Sequence, residues 1–136
     1  MNYLLLTLAL AINYLAFYLT MPNISVLMVL MFILIIPGII NGYFYHRDRE
    51  NKNIFIYPII STVFYVISAY FLETSGKIIE FANRANVNTG DLMVNVKTDI
   101  TSPDVVIFAL LLQLVILFII KLLLRKNVND RSYQFV

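Results

Sequence analysis

The chain predicts an all-α integral membrane protein, with four transmembrane helices and one structured outer loop. Two observations lead there. Apolar residues make up 60% of the sequence and charged residues 13%, with a mean hydropathy of +0.81, against roughly 45–50% apolar and 25% charged in soluble domains. The apolar residues are also gathered into uncharged runs, Met1 to Tyr45, Ile54 to Leu72 and Val105 to Ile120, and a helix needs about 20 such residues to cross the hydrocarbon core.

The first run is long enough for two spans, so it must break, and Thr20-Met21-Pro22-Asn23 supplies the break. Proline disfavours helical geometry in the residue before it, and Asn23 is a suitable cap for the next helix. Spans are therefore expected at about 3–18 and 24–45, joined as a tight hairpin. The opening run has the length of a secretory signal, but no Lys or Arg precedes it and Pro22-Asn23 is a poor cleavage site. It reads as a retained first span. A third span is expected at about 54–72 and a fourth at about 104–124. Ser102, Pro103 and Asp104 form a start signal for the fourth, and Lys121 near its end is long enough to snorkel to the headgroups. Residues 1–126 thus form one four-span domain, followed by a short cytoplasmic tail at 127–136.

Charge placement predicts the orientation. Arg47, Arg49 and Lys52 lie in the connection after the second span, and Lys121, Arg125, Lys126 and Arg131 lie at the C-terminal end. Basic residues gather on the cytoplasmic side, so both termini are expected inside; a three-span arrangement would instead put the N-terminus outside. The outer connection, 73–103, dilutes Lys77, Arg84 and Lys97 among Glu73, Glu80, Asp91 and Asp99, with Asp104 just beyond it. Within it, GKIIEFANRAN has the spacing of a short amphipathic helix lying on the bilayer surface. Asn88 to Asp91 reads as a turn, and LMVNVKTDI alternates in strand fashion.

Little in the sequence offers catalytic chemistry. Cysteine is absent, and His46 is the one histidine, set beside Arg47 and Asp48. General-base work needs an oriented partner and a pocket, so His46 reads as a solvated juxtamembrane side chain. No phosphate-binding loop, dinucleotide fingerprint or metal-loop pattern occurs. The net charge of +2 does not suggest nucleic-acid binding. The expectation is a protein without catalytic residues, cofactor or metal.

Polar residues inside the spans are more informative, because an unsatisfied polar group in hydrocarbon is costly. Asn13, Asn41 and Gln113 are the main candidates for contacts between helices, supported by Thr7, Ser61, Thr62 and Ser68. Gly38 and Gly42 form a G-x-x-x-G spacing that admits close approach of another helix, either within the chain, in a second copy or in another membrane protein. Pro37 and Pro58 each suggest a kink. Tyr43, Phe44 and Tyr45, with Tyr57 and Tyr70, fit an interfacial aromatic belt. Arg47, Arg49, Lys52, Arg125 and Lys126 would form an inner basic face able to meet anionic lipid or a partner.

The order of these features resembles the Msa family of small membrane proteins. The resemblance rests on the M-x-Y-L-x-L start (Met1, Tyr3, Leu4, Leu6), the short first hairpin and the I-P-x-I-x-x-G pattern (Ile36, Pro37, Ile39, Gly42). The aromatic third span, polar connection and basic C-terminus extend it over nearly the whole chain. The family's namesake is the modulator of the SarA virulence regulator in Gram-positive bacteria. The resemblance implies a cell-membrane protein that influences regulator expression or signalling. The residues themselves point to the lipid bilayer, and to another membrane protein or the chain itself, as partners. A small pore, holin-like or transporter-subunit protein and a membrane immunity protein are the alternatives that the residues leave open.

Overall fold

A computed structural model describes residues 3–48, 53–87 and 97–132. Among the described residues there are five helices and no strand: α1 (Tyr3–Thr20), α2 (Val26–Arg47), α3 (Ile56–Thr74), α4 (Lys77–Val87) and α5 (Pro103–Ser132). Four are long and apolar enough to cross a membrane: α1, α2, α3 and the Pro103–Leu124 part of α5. Helices α2 and α3 touch at the centre of the bundle; α1 packs on both from one side and α5 from the other.

The distribution of side chains is the reverse of a soluble fold. Asn13, Asn41, Ser61, Thr62, Ser68 and Gln113 are buried, while Leu4, Ile12, Leu19, Phe108, Leu111, Phe118 and Leu123 are exposed. An apolar surface of this kind, presented around all four long helices, is stable only against lipid. The chain is a multi-pass membrane protein.

Each helix turns one stripe inward. Leu6, Leu10, Tyr14 and Phe17 do so on α1, Tyr57, Tyr65, Ala69 and Leu72 on α3, and Ala109, Gln113 and Leu117 on α5, at the three- and four-residue spacings of an inward helix face. Tyr57 is 1% exposed and Phe44 7% exposed, so these two rings pack against protein and do not face lipid. The Tyr57 ring stacks on Tyr3 and meets Tyr45 edge-on, and its hydroxyl donates to Asp48 Oδ2 at 2.9 Å. With Lys121 Nζ 5.9 Å from the Tyr45 ring centre, this brings the start of α1, the end of α2, the start of α3 and the late part of α5 to one end of the bundle.

Several local details differ from the sequence expectation. The α1–α2 turn, with a cis Met21–Pro22 peptide, is capped by Ser25 and not Asn23: Ser25 Oγ accepts from Met28 N at 3.3 Å. Pro58 produces no kink, because α3 begins at Ile56 and the first-turn N–H that proline lacks has no partner in any helix. Ser102 does not cap α5 through its hydroxyl, which donates backward to Asp99 O at 3.0 Å; only its carbonyl accepts the first helical bonds. Helix α5 runs on to Ser132, so most of the expected tail continues the helix. The expected turn at Asn88 to Asp91 and most of the expected strand lie outside the described residues, and Lys97–Ile100 are not extended into a strand.

Candidate functional site

Proline 37 dictates the most unusual feature of the bundle. It has no N–H to offer the carbonyl four residues back, as an α-helix requires, or five back, as a π-helix requires. The carbonyls it orphans are those of Ile33 and Phe32. Residues Met31–Ile35 form a π-helical turn within α2, with Ile36 N bonded to Met31 O. Two amides from neighbouring helices meet the two orphaned carbonyls. Asn13 Nδ2 on α1 donates to Phe32 O at 3.0 Å, and Gln113 Nε2 on α5 donates to Ile33 O at 3.3 Å. Both side chains are buried, Gln113 completely. Turns of this type recur at functional sites, and this one is held from opposite sides by different helices.

One turn further along α2, Asn41 is fully buried and its Oδ1 accepts from Ser61 Oγ of α3 at 3.1 Å. Asn13 Oδ1, Asn41 Nδ2, Gln113 Oε1, Ser68 Oγ and the Tyr14 hydroxyl are buried without a hydrogen-bond partner among the described residues. The Tyr14 hydroxyl approaches the Gln113 amide without hydrogen-bonding geometry. A polar seam therefore runs through the bundle centre, with donors and acceptors incompletely matched.

Gly38 and Gly42 lie on the face of α2 that meets α5. A Cβ on Gly38 would stand 2.5 Å from Ile116 Cγ2, and one on Gly42 would stand 2.8 Å from Ile120 Cδ1 and 2.9 Å from its Cγ2. The close approach is thus made within the chain, and the face is filled.

The opposite end of the bundle carries a folded cap. Gly76, at φ +74°, adopts the left-handed conformation that glycine tolerates best and turns the chain from α3 into α4. The apolar face of α4, Ile78, Phe81 and Ala82, is buried against protein, so this helix packs on the bundle end instead of lying only on the bilayer; Ile79 points away and is exposed. Its cations fasten the α1–α2 hairpin on both sides of the turn. Lys77 Nζ donates to Tyr18 O at 2.8 Å and lies 4.0 Å from the Tyr18 ring centre, while Arg84 Nη2 donates to Ile24 O at 2.6 Å.

The segment entering α5 is tied to α3 in the same region. Glu73 accepts from Thr101 N and Thr101 Oγ1, both at 2.8 Å, and the Tyr65 hydroxyl donates to Ile100 O at 2.9 Å. Lys97 pairs with Asp104 at 2.7 Å, and that hydrogen bond raises the Lys97 pKa above its ordinary value. Both partners are exposed, so the pair contributes little to stability.

Of the candidate site residues, Asn13, Asn41, Gln113, Gly38 and Gly42 all converge on α2. Of the expected inner basic face, Arg47 is exposed, with Nη1 3.5 Å from the Tyr43 hydroxyl; Arg49, Lys52 and the side chains of Arg125 and Lys126 lie outside the described residues. Lys77, Arg84, Glu73 and Tyr65 were not singled out by sequence. For Lys77 and Arg84 the signal was their two-turn spacing along one amphipathic helix; Glu73 and Tyr65 carried none. Among the described residues, no group of three or more His, Cys, Asp or Glu side chains is placed to hold a metal ion. Comparisons with protein-family models, curated proteins and solved structures find no match for this chain.

Proposed function

We propose that the protein acts by binding and not by catalysis, as a regulatory or sensory accessory to another membrane component, in keeping with its resemblance to the Msa family. One observation carries this reading: α4 is fastened by Lys77 and Arg84 to the backbone on both sides of the α1–α2 turn. A partner or signal that displaces the cap thereby moves the hairpin whose second helix contains the π-helical turn. Such a turn has a second arrangement close at hand, in which Ile36 N moves from Met31 O to Phe32 O and only the bond that Pro37 cannot make is missing, and a ligand that favours one arrangement shifts the population. The inner basic residues then offer the opposite face to an anionic lipid surface or a partner.

Gene deletion tests the role. We expect the transcript of the virulence regulator to change severalfold on deletion, to recover with the unaltered chain, and not to recover with Lys77→Ala/Arg84→Ala present at equal membrane abundance. An unchanged transcript on deletion sinks the proposal.

The same reading puts the cap outside and both termini in the cytoplasm, following the basic residues. The chain has no cysteine, so a single Glu80→Cys on the exposed side of α4 reports the side directly. It is expected to react with a membrane-impermeant maleimide on intact cells; reaction only after permeabilisation reverses the orientation.

A further inference from the structure

The lipid-facing surface is not uniformly convex. Between α1 and α3 lies a groove of about 450 Å³ floored by Ala11 and walled by Tyr18, Phe64 and Phe71. A second depression of about 320 Å³, sharing Ala11 and Phe64, extends it past Thr7 to Leu4. From Tyr18 to Leu4 the α1 rise spans about 21 Å at 1.5 Å per residue, the scale of an extended acyl chain. The lining is almost wholly apolar, and in a multi-pass membrane protein it faces hydrocarbon.

The charge at the mouth selects the occupant. The Lys77 ammonium lies against the Tyr18 ring that closes the groove's outer end. An ammonium has three donors, and the bond to Tyr18 O uses one. Among the described residues the one ion pair is Lys97 with Asp104, so neither Lys77 nor Arg84 on the same helix is neutralised by a carboxylate. Two carboxylates lie near in sequence: Glu73 is held by Thr101, and Glu80, exposed on the same helix, forms no ion pair with either cation.

We propose that this groove is a specific site for one anionic phospholipid, its acyl chain lying between α1 and α3 and its phosphate meeting Lys77. The site stands independently of the regulatory role. A near-surface cation contributes about 1 kcal/mol toward an anionic headgroup, or about a fivefold preference.

The chain has no tryptophan, so a single Leu15→Trp in the groove wall is a clean reporter, with exposed Ile119→Trp on α5 as its control. The full chain is reconstituted in phosphatidylcholine vesicles doped with either brominated phosphatidylglycerol or brominated phosphatidylcholine. Expected is about a fivefold higher relative binding constant for the anionic lipid at position 15 and none at 119. Lys77→Gln should abolish the preference and Lys77→Arg preserve it. Raising salt on the reporter with native Lys77 should also weaken it, which makes the result independent of how well Lys77→Gln folds. Equal quenching by the two lipids at position 15, or a preference insensitive to both salt and Lys77→Gln, overturns the proposal. So does efficient disulfide formation between Leu15→Cys copies accompanied by exclusion of the brominated lipid, which would make the groove a contact between copies.

Discussion

Gly38→Leu is expected to lower the unfolding free energy by about 3 kcal/mol, the upper part of the usual range for overpacking a filled interior. Even a bare Cβ at this position would stand 2.5 Å from Ile116 Cγ2 and 3.3 Å from Ile116 Cβ, so the added bulk must separate α2 from α5. Gly42→Leu should cost less, because one of the atoms it meets is Ile120 Cδ1, the end of a flexible side chain. The measurement is unfolding of the protein in mixed micelles followed by circular dichroism. Gly38→Ala combined with Ile116→Ala provides the internal control. Removing Cγ2 makes room for the new Cβ, so the pair should be less destabilised than the sum of its single substitutions. If Gly38→Leu instead left monomer stability unchanged and altered only self-association, the glycines would serve a contact between copies and the α2–α5 packing would be wrong.

The contrast between what hydropathy reveals and what it leaves hidden follows from the solvent. Uncharged runs and the Pro22 break reveal the span count, because crossing a bilayer is set by length and apolarity alone. Pro37 likewise announces a break in α2, and simple counting back from it names Ile33 and Phe32 as the carbonyls left over. Which side chains meet those carbonyls is another matter. It depends on how α1 and α5 are rotated and shifted against α2, and their lipid-facing leucines and isoleucines are compatible with many registers. Asn13 and Gln113 stand out as costly in hydrocarbon without revealing where they point.

The glycine face was more readable than it looked. Gly38 and Gly42 are four residues apart, as are Ile116 and Ile120 on α5, so the notches and the side chains that fill them share a spacing. The cap was the least legible part. Lys77 and Arg84 bond to backbone carbonyls, which every residue possesses, and such a contact leaves no matching residue elsewhere in the chain. Glu73 is similar: its acceptor role toward the Thr101 backbone gives no opposite charge to search for. Ser25 took the cap expected of Asn23 because the helix starts two residues later, a shift below the resolution of local patterns.

Gln113→Leu is expected to cost about 1–2 kcal/mol in the native chain, where it leaves the Ile33 carbonyl buried without a donor, and clearly less when Pro37 is replaced by alanine. The alanine N–H becomes available to one of the two carbonyls, though not to both. If α2 relaxes to a regular α-helix, that N–H goes to Ile33 O and relieves the Gln113 substitution; Asn13→Leu, which strips Phe32 O, is then left to the i+4 donor of Ile36. If the π turn persists, the N–H goes to Phe32 O and relieves only Asn13→Leu. A double-mutant cycle across Pro37→Ala, Gln113→Leu and Asn13→Leu, read by unfolding in mixed micelles, therefore reports both the coupling and the register of the turn. The regular helix is the expected outcome, because the bulge exists in a stretch where proline makes the ordinary bond impossible. Identical losses with and without Pro37 would mean that the two amides are not held to the break at all, and the bistable element on which the regulatory proposal depends would be gone.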